Sequence, residues 1–197
     1  MLEETDQRIF FDNIAEEWDR IVSHRPDKLG FIAGMMELAP GQRVLDVGCG
    51  TGVMLPYLLR DLRPGGVVHA LDFSPRMIEV ARRKYPVDQH PELRYYNDDI
   101  SRFTFNGEYD AILCYSSFPH FAHHGRIMHK LAAGLKEGGR LIVAHADSRE
   151  TINQLHGDEE GYLPEMDEIA RSMEQAGLHV SVCIDSDEMF LIMGDKY

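Results

Sequence analysis

Apolar and polar positions follow two rhythms along this chain, and each change of rhythm marks a new element. Short β-branched runs bounded by glycine or polar residues, "RVLDVG" (43–48), "VVHALDF" (67–73), "ELRYYND" (92–98), "YDAILCYSSF" (109–118) and "GRLIVAHA" (139–146), predict five strands. Helices are predicted between them: from Gly52 to Arg60, ended by "RPGG"; over "SPRMIEVARRKY" (74–85), with Ser74 as N-cap and Pro75 at the first helical position; and over "GRIMHKLAAGLKEG" (125–138). Ahead of the first strand, "RIFFDNIAEEWDRI" (8–21) sets Ile9, Phe10, Ile14, Trp18 and Ile21 at helical spacing. Beyond the fifth strand come two helices, "DSRETINQLHG" (147–157) and "LPEMDEIARSMEQAG" (163–177), the second stopped by Gly177. The last stretch, "LHVSVCIDSDEMFLIMGDKY" (178–197), divides into two strands whose short polar turn permits only antiparallel pairing.

Alternating β and α units predict an α/β, doubly wound, mostly parallel seven-stranded sheet with a C-terminal antiparallel strand. A chain of 197 residues with 44% hydrophobic content is long enough for one core and short for two, so residues 1–197 are expected to form a single domain.

The turn after the first strand carries the first candidate chemistry. "VLDVGCGTG" (44–52) leaves a strand, enters a helix and holds glycines at 48, 50 and 52. Such a turn lets a ligand sit against backbone N–H groups at the carboxyl edge of an open sheet. Asp72 ends the neighbouring second strand, where a carboxylate is placed to accept from both hydroxyls of a ribose. Together they favour a nucleoside ligand. The spacing is G-x-G-x-G, with Val53 and Met54 where the last glycine of a dinucleotide fingerprint would fall, so an NAD-type oxidoreductase is disfavoured. The triphosphate signature G-x-x-x-x-G-K-[ST] does not occur.

Charge narrows the partners. A formal net charge of -13, with no Lys/Arg cluster to offset it locally, argues against nucleic acid and against an anionic membrane surface. No apolar run reaches the roughly 18 residues a membrane span needs, and the opening residues are acidic where a signal peptide would be basic, so a soluble cytoplasmic protein is expected. Cys49, Cys114 and Cys183 form no C-x-x-C pair; Cys114 and Cys183, in apolar strand-like runs, read as small buried hydrophobes.

These motifs, taken in order, resemble those of class I S-adenosylmethionine-dependent methyltransferases of the small-molecule type. "VLDVGCGTG" looks like the family's first motif, "ALDFSPRMIEVAR" its second, "YYNDDISRF" its third-strand acidic motif and "LKEGGRLIVA" the segment around its fifth strand. The resemblance implies S-adenosyl-L-methionine as cofactor. Gly48, Cys49, Gly50 and Gly52 would carry the backbone against it, and Asp46 would organise the loop and approach the amino group. Asp72 would take the ribose hydroxyls, Phe73 would pack on adenine, Asp99 would accept from the adenine amino group with Ile100 over the ring, and the doublet with Asp98 leaves that register open by one residue. Residues 1–30 would form a lid, with Trp18 or Phe11 facing the cationic sulfonium or else anchoring the helix to the core. The cysteine set of arsenite methyltransferases and the N-P-P-[YF] motif of amino-methylating branches are both missing. A small-molecule acceptor is implied, held by the lid and by residues 147–165; self-association as a homodimer is compatible with this, and a non-enzymatic module that keeps the cofactor pocket is the other alternative.

Groups that would serve methyl transfer should project from the ends of the fourth and fifth strands. Tyr115, Ser116 and His120 follow the fourth; His145 and Asp147, then Asn153 and His156, follow the fifth. Tyr115, His120 and His145 are the catalytic candidates. A histidine acting as general base ranks above a divalent metal held by several histidines with Asp147, because no ligand spacing marks a metal site. Asp147 with Glu150 also fits a helix-capping pair, and His123, His124 and His129 are expected in solvent.

Overall fold

The computed structural model describes residues 4–104, 107–156 and 161–197, with side-chain surroundings given from residue 6. Seven strands form one sheet: β1 (Arg43–Val47), β2 (Val67–Asp72), β3 (Leu93–Asn97), β4 (Tyr109–Tyr115), β5 (Leu135–His145), β6 (Leu178–Asp185) and β7 (Phe190–Lys196). Their order is β3-β2-β1-β4-β5-β7-β6. The first five run parallel, while β7 inserts between β5 and β6 and is antiparallel to both. The expected terminal hairpin is present, and its second strand is an interior one. Its residues Phe190 to Met193 are all buried, while β6 at the edge buries only Leu178 and alternates half-buried with exposed positions beyond it.

Helices cover both faces. On one, α3 (Pro26–Met35), α4 (Leu55–Leu62) and α5 (Pro75–Lys84) bury Ile32, Leu55, Leu58 and Ile78 against Val44, Val68, Leu113 and Ile142. On the other, α6 (His124–Gly134) and α8 (Met166–Gln175) bury Met128, Leu131, Ile169 and Met173 against Leu45, Ile112, Val143 and Ile192. Neighbouring strand residues thus face opposite layers, as the period of two requires. Ser74 caps α5 as its sequence predicts, accepting from Met77 N at 3.1 Å ahead of Pro75.

Several boundaries differ from the sequence reading. The stretch 8–21 is two helices, α1 (Glu4–Ile14) and α2 (Trp18–Ile21), joined by turn hydrogen bonds from Glu17 and Trp18 to Ile14 and Ala15. The inward face is Phe11, Ile14, Ala15 and Trp18 on Met77 and Val80 of α5, whereas Ile9, Phe10 and Ile21 are exposed. The break between the helices shifts the phase of the apolar stripe. Helix α3 begins inside the segment expected as a lid, and its Leu29, Ile32 and Ala33 belong to the core. The helix expected to run to Gly138 ends at Gly134, because Leu135 pairs with Tyr109 and β5 starts there.

A short helix, α7 (Arg149–His156), is capped by Ser148, whose Oγ accepts from Thr151 N at 3.1 Å, so the cap lies one residue after Asp147. Cys114 is buried but Cys183, on the outward side of edge strand β6, is exposed. Among the described residues no helix is long and apolar enough to cross a membrane.

Candidate functional site

The sheet order reverses between β1 and β4, and a cavity opens there at the carboxyl ends of β1, β2 and β4. This is the switch point where open α/β sheets bind ligands. Its floor is Gly48, Cys49, Gly50 and Thr51, and one side is Asp72, Phe73, Asp98, Asp99 and Ile100. The other side is Tyr115, Ser116, Ser117 and His120. Phe11, Trp18 and His24 roof it.

The glycine turn is fixed by strand β2. Gly48 N and Cys49 N both donate to the Leu71 carbonyl, at 2.8 and 3.0 Å, and Gly50 N donates to Asp72 Oδ2 at 2.8 Å. These donors were expected to face a ligand; the fold spends them on its own second strand. The glycines serve another purpose. Gly48 has φ 71°, and a Cβ there would stand 2.4 Å from Ser117 Cβ, which closes the end of β4 onto β1 while Ser117 Oγ donates to Val47 O at 2.7 Å. Gly52, at φ 89°, would press on Leu55 and Tyr85. Only backbone without side chains fits the turn at these two points.

Two carboxylates lie under it. Asp72 accepts from Gly50 N and also from Ser74 N at 2.9 Å, which locks its orientation, while burial pushes its carboxyl up to about 6. Asp46 is buried beneath the turn, its Oδ2 finds no partner among the described residues, and burial together with the Asp72 charge pushes it up to about 7. Burial likewise holds the Cys49 thiol well above its ordinary value, so it stays protonated. An unpartnered buried carboxylate oxygen costs about 1–3 kcal/mol, and a cationic ligand group would offset it.

The roof is attached from both ends. Phe11 makes edge-to-face contacts with Trp18 and Phe73, each at 5.7 Å, and with His120 at 5.0 Å. Polar contacts tie α1 and α2 to α5: Asp12 accepts from Ser74 Oγ at 2.6 Å, Glu16 pairs with Arg76 and Arg83, and Asp19 takes Lys84 Nζ at 2.5 Å and also Thr51 Oγ1. Hydrogen bonding from Lys84 and Thr51, with the Lys84 charge, outweighs burial and holds Asp19 below the usual carboxylate range.

The predicted residues divide. Gly48, Cys49, Gly50, Asp72, Phe73, Asp99, Ile100, Trp18, Tyr115 and His120 all line the cavity; Asp46 and Gly52 lie behind its floor. Asp98 lines it beside Asp99, and both carboxylates also hold the local turn, through Asp99 N and Ser101 N. His145 is elsewhere. Strand β5 continues through it, so its ring shares the face of Leu141 and Val143 and meets Phe190 at 6.5 Å. Asn153 exchanges hydrogen bonds with Leu163 N and O, which pins residues 161–163 and takes it out of the cavity.

His124 is half-buried, stacked 4.7 Å from Phe118 with Nε2 at 3.1 Å from Phe118 O, against the expectation of a solvated ring; His123 and His129 are exposed. The side chain of His156 lies outside those described, and among the described residues no group of three or more His, Cys, Asp or Glu could hold a metal ion. Sequence reasoning missed Ser117 and His24. Nothing in "SSFPH" separates one serine from the other, and "SHRP" lies within the expected lid without any local pattern that marks it.

Sheet order, switch-point cavity and glycine turn over an acidic strand end define the architecture of class I methyltransferases. Residues 44–139 match the family model described as a methyltransferase domain. The chain is 28% identical over 158 residues to the malonyl-[acyl-carrier protein] O-methyltransferase of Acetivibrio thermocellus, covering 79% of this chain and 54% of that protein. It is 36% identical over 109 residues to the demethylmenaquinone methyltransferase of Thermus thermophilus, covering 55% of this chain and 48% of that one. The chain spans about half the length of these curated relatives. Among solved structures, an S-adenosylmethionine-dependent methyltransferase from Aquifex aeolicus superposes with a TM-score of 0.74 at 19% identity, over 94% of this chain and 98% of that one, a likeness of fold.

Proposed function

We propose that this chain is an S-adenosylmethionine-dependent methyltransferase that modifies a small-molecule acceptor in the cytoplasm. The observation that carries the reading is Gly50 N on Asp72 Oδ2, which sets a buried carboxylate and a side-chain-free turn together in the wall of the switch-point cavity. Both relatives named above are methyltransferases by name, one an O-methyltransferase, which supports the acceptor class.

The fit is chemical. Asp72 presents lone pairs to ribose hydroxyls, Phe73 and Ile100 flank the adenine, and Asp99 or Asp98 accepts from its amino group. The unpartnered Oδ2 of Asp46 is suited to the cofactor's ammonium group, acting through the turn it underlies. When bound, the cofactor supplies an electrophilic methyl on a sulfonium. Trp18 and Phe11 give that positive charge an aromatic surface and keep water out. Tyr115 and His120 stand on the acceptor side, where holding the acceptor in line contributes several kcal/mol, up to about 7–11 in well-oriented systems. His145, turned into the far layer, would act only indirectly.

Titration calorimetry with S-adenosylhomocysteine tests this. Micromolar binding, weakened tenfold or more in Asp72→Asn and matched by no response to NADH, supports it. Absence of S-adenosylhomocysteine binding, or preference for NADH, overturns it.

A further inference from the structure

The acceptor side of the cavity has a composition of its own. All three carboxylates of the wall, Asp72, Asp98 and Asp99, lie at the ends of β2 and β3, and no lysine or arginine lines it among the described residues. The rest of the lining includes the aromatic, histidine and hydroxyl groups of Phe11, Trp18, His24, Tyr115, Ser116 and His120, with the uncharged Gln7 amide and apolar residues such as Ile127. Among the described residues that line this side, none is a carboxylate for an ammonium acceptor or a fixed cation for a carboxylate one; Asp19, Lys84 and Asp147 stand around His24 outside the lining. Burying either charge there would be costly.

Within that wall His24, from the loop between α2 and α3, shares a hydrogen bond of 3.0 Å between its Nδ1 and the hydroxyl of Tyr115, the last residue of β4. Its Nε2 is buried and has no partner among the described residues. We infer that His24, oriented by Tyr115, accepts the proton of an uncharged hydroxyl acceptor of the phenol class, and that this base exists only where the N-terminal helices close on the sheet. The inference rests on the methyltransferase reading above.

The tautomer with the proton on Nδ1 donates to the Tyr115 oxygen and leaves the Nε2 lone pair available. As the acceptor oxygen bonds to the methyl carbon, the methyl–sulfur bond breaks with its electron pair going to sulfur, and the hydroxyl proton passes to Nε2. The products are a methyl ether, a neutral thioether and an imidazolium that returns its proton to water. The groups facing His24 are Tyr115 of β4, Asp19 of α2, Lys84 of α5 and Asp147 after β5; burial, the largest influence, outweighs the two acids and holds the imidazole below its ordinary value. Burial also pushes Tyr115 up to about 12, so its phenol stays protonated as a neutral partner.

The experiment incubates the protein with S-adenosylmethionine and a panel of uncharged phenols, primary amines and thiols, with methylated products read by mass spectrometry and S-adenosylhomocysteine affinity measured in parallel. Phenols are expected to turn over, with an acidic limb in kcat/KM that inflects below the ordinary imidazole value. His24→Gln should lower kcat/KM about a hundredfold or more, remove that limb and leave S-adenosylhomocysteine affinity within twofold. Tyr115→Phe should move the limb, and imidazole should partly restore His24→Ala; these two, with the wild-type profile, decide the matter if His24→Gln fails to fold. Cofactor binding without phenol turnover, or a His24→Gln protein that keeps the limb, overturns the inference. Loss of S-adenosylhomocysteine binding in the wild type overturns the methyltransferase reading beneath it instead.

Discussion

The floor and the roof of the cavity are built on different principles. The floor is backbone: Gly48, Cys49 and Gly50 hang from β2 through three N–H donors, and their positions follow from two paired parallel strands. The roof is side chain: Phe11, Trp18 and His24 reach the cavity from a segment held to α5 largely by half-exposed ion pairs and one edge-to-face cluster. A floor of this kind can be read from nine consecutive residues and tolerates almost no change. A roof of this kind tolerates single losses and can open, as a site that must admit and release its ligand requires.

The sharpest break is expected in the floor. Gly48→Val combines a φ that L-residues resist with a Cβ 2.4 Å from Ser117. Left-handed strain of about 1–2 kcal/mol and overpacking of about 1–3 kcal/mol should lower the urea midpoint clearly, and calorimetry should detect no cofactor binding.

Asp46→Asn separates stability from binding. The folded carboxyl titrates near 7, above its unfolded value of about 3.9, so the native state holds a proton that the unfolded chain has already released. Its stabilising contribution is therefore complete below about pH 4 and lost as pH rises through 7. The apoprotein should melt lower at pH 8 than at pH 6, and Asp46→Asn should flatten that dependence while weakening S-adenosylhomocysteine tenfold or more. A variant that melts with the wild-type pH dependence would remove Asp46 from this account.

The roof should respond more mildly. Asp19→Asn removes the Lys84 pair and weakens the Thr51 contact, and exposed pairs of this kind contribute little. Stopped-flow release of S-adenosylhomocysteine should quicken about two- to fivefold, with added salt producing the same change in the wild type. Smallest for the site is Ser148→Ala. Loss of the α7 cap should cost about 1 kcal/mol of stability without altering cofactor affinity, and Asp147→Ala should cost less, since Asp147 caps nothing.

How much was legible follows the same division. The strand after each helix, the Ser74 cap and the acidic end of β2 are local patterns, and each stands where its residues place it. The phase of the lid helices, the early start of β5 and the inward turn of His145 are not local. They depend on a helix break at residues 15–17, on pairing with Tyr109 and on the alternation along β5 that sets His145 on the same face as Leu141 and Val143.

The sequence by itself determined that this chain alternates strands with helices and turns sharply on glycine beside an acidic strand end, because dihedral freedom and side-chain period are properties of neighbouring residues. Only the tertiary structure decided that His24 meets the cavity beside Tyr115 and that His145 does not. His24 and Tyr115 stand 91 positions apart along the chain, and the packing of α1 and α2 on α5 brings them within a hydrogen bond.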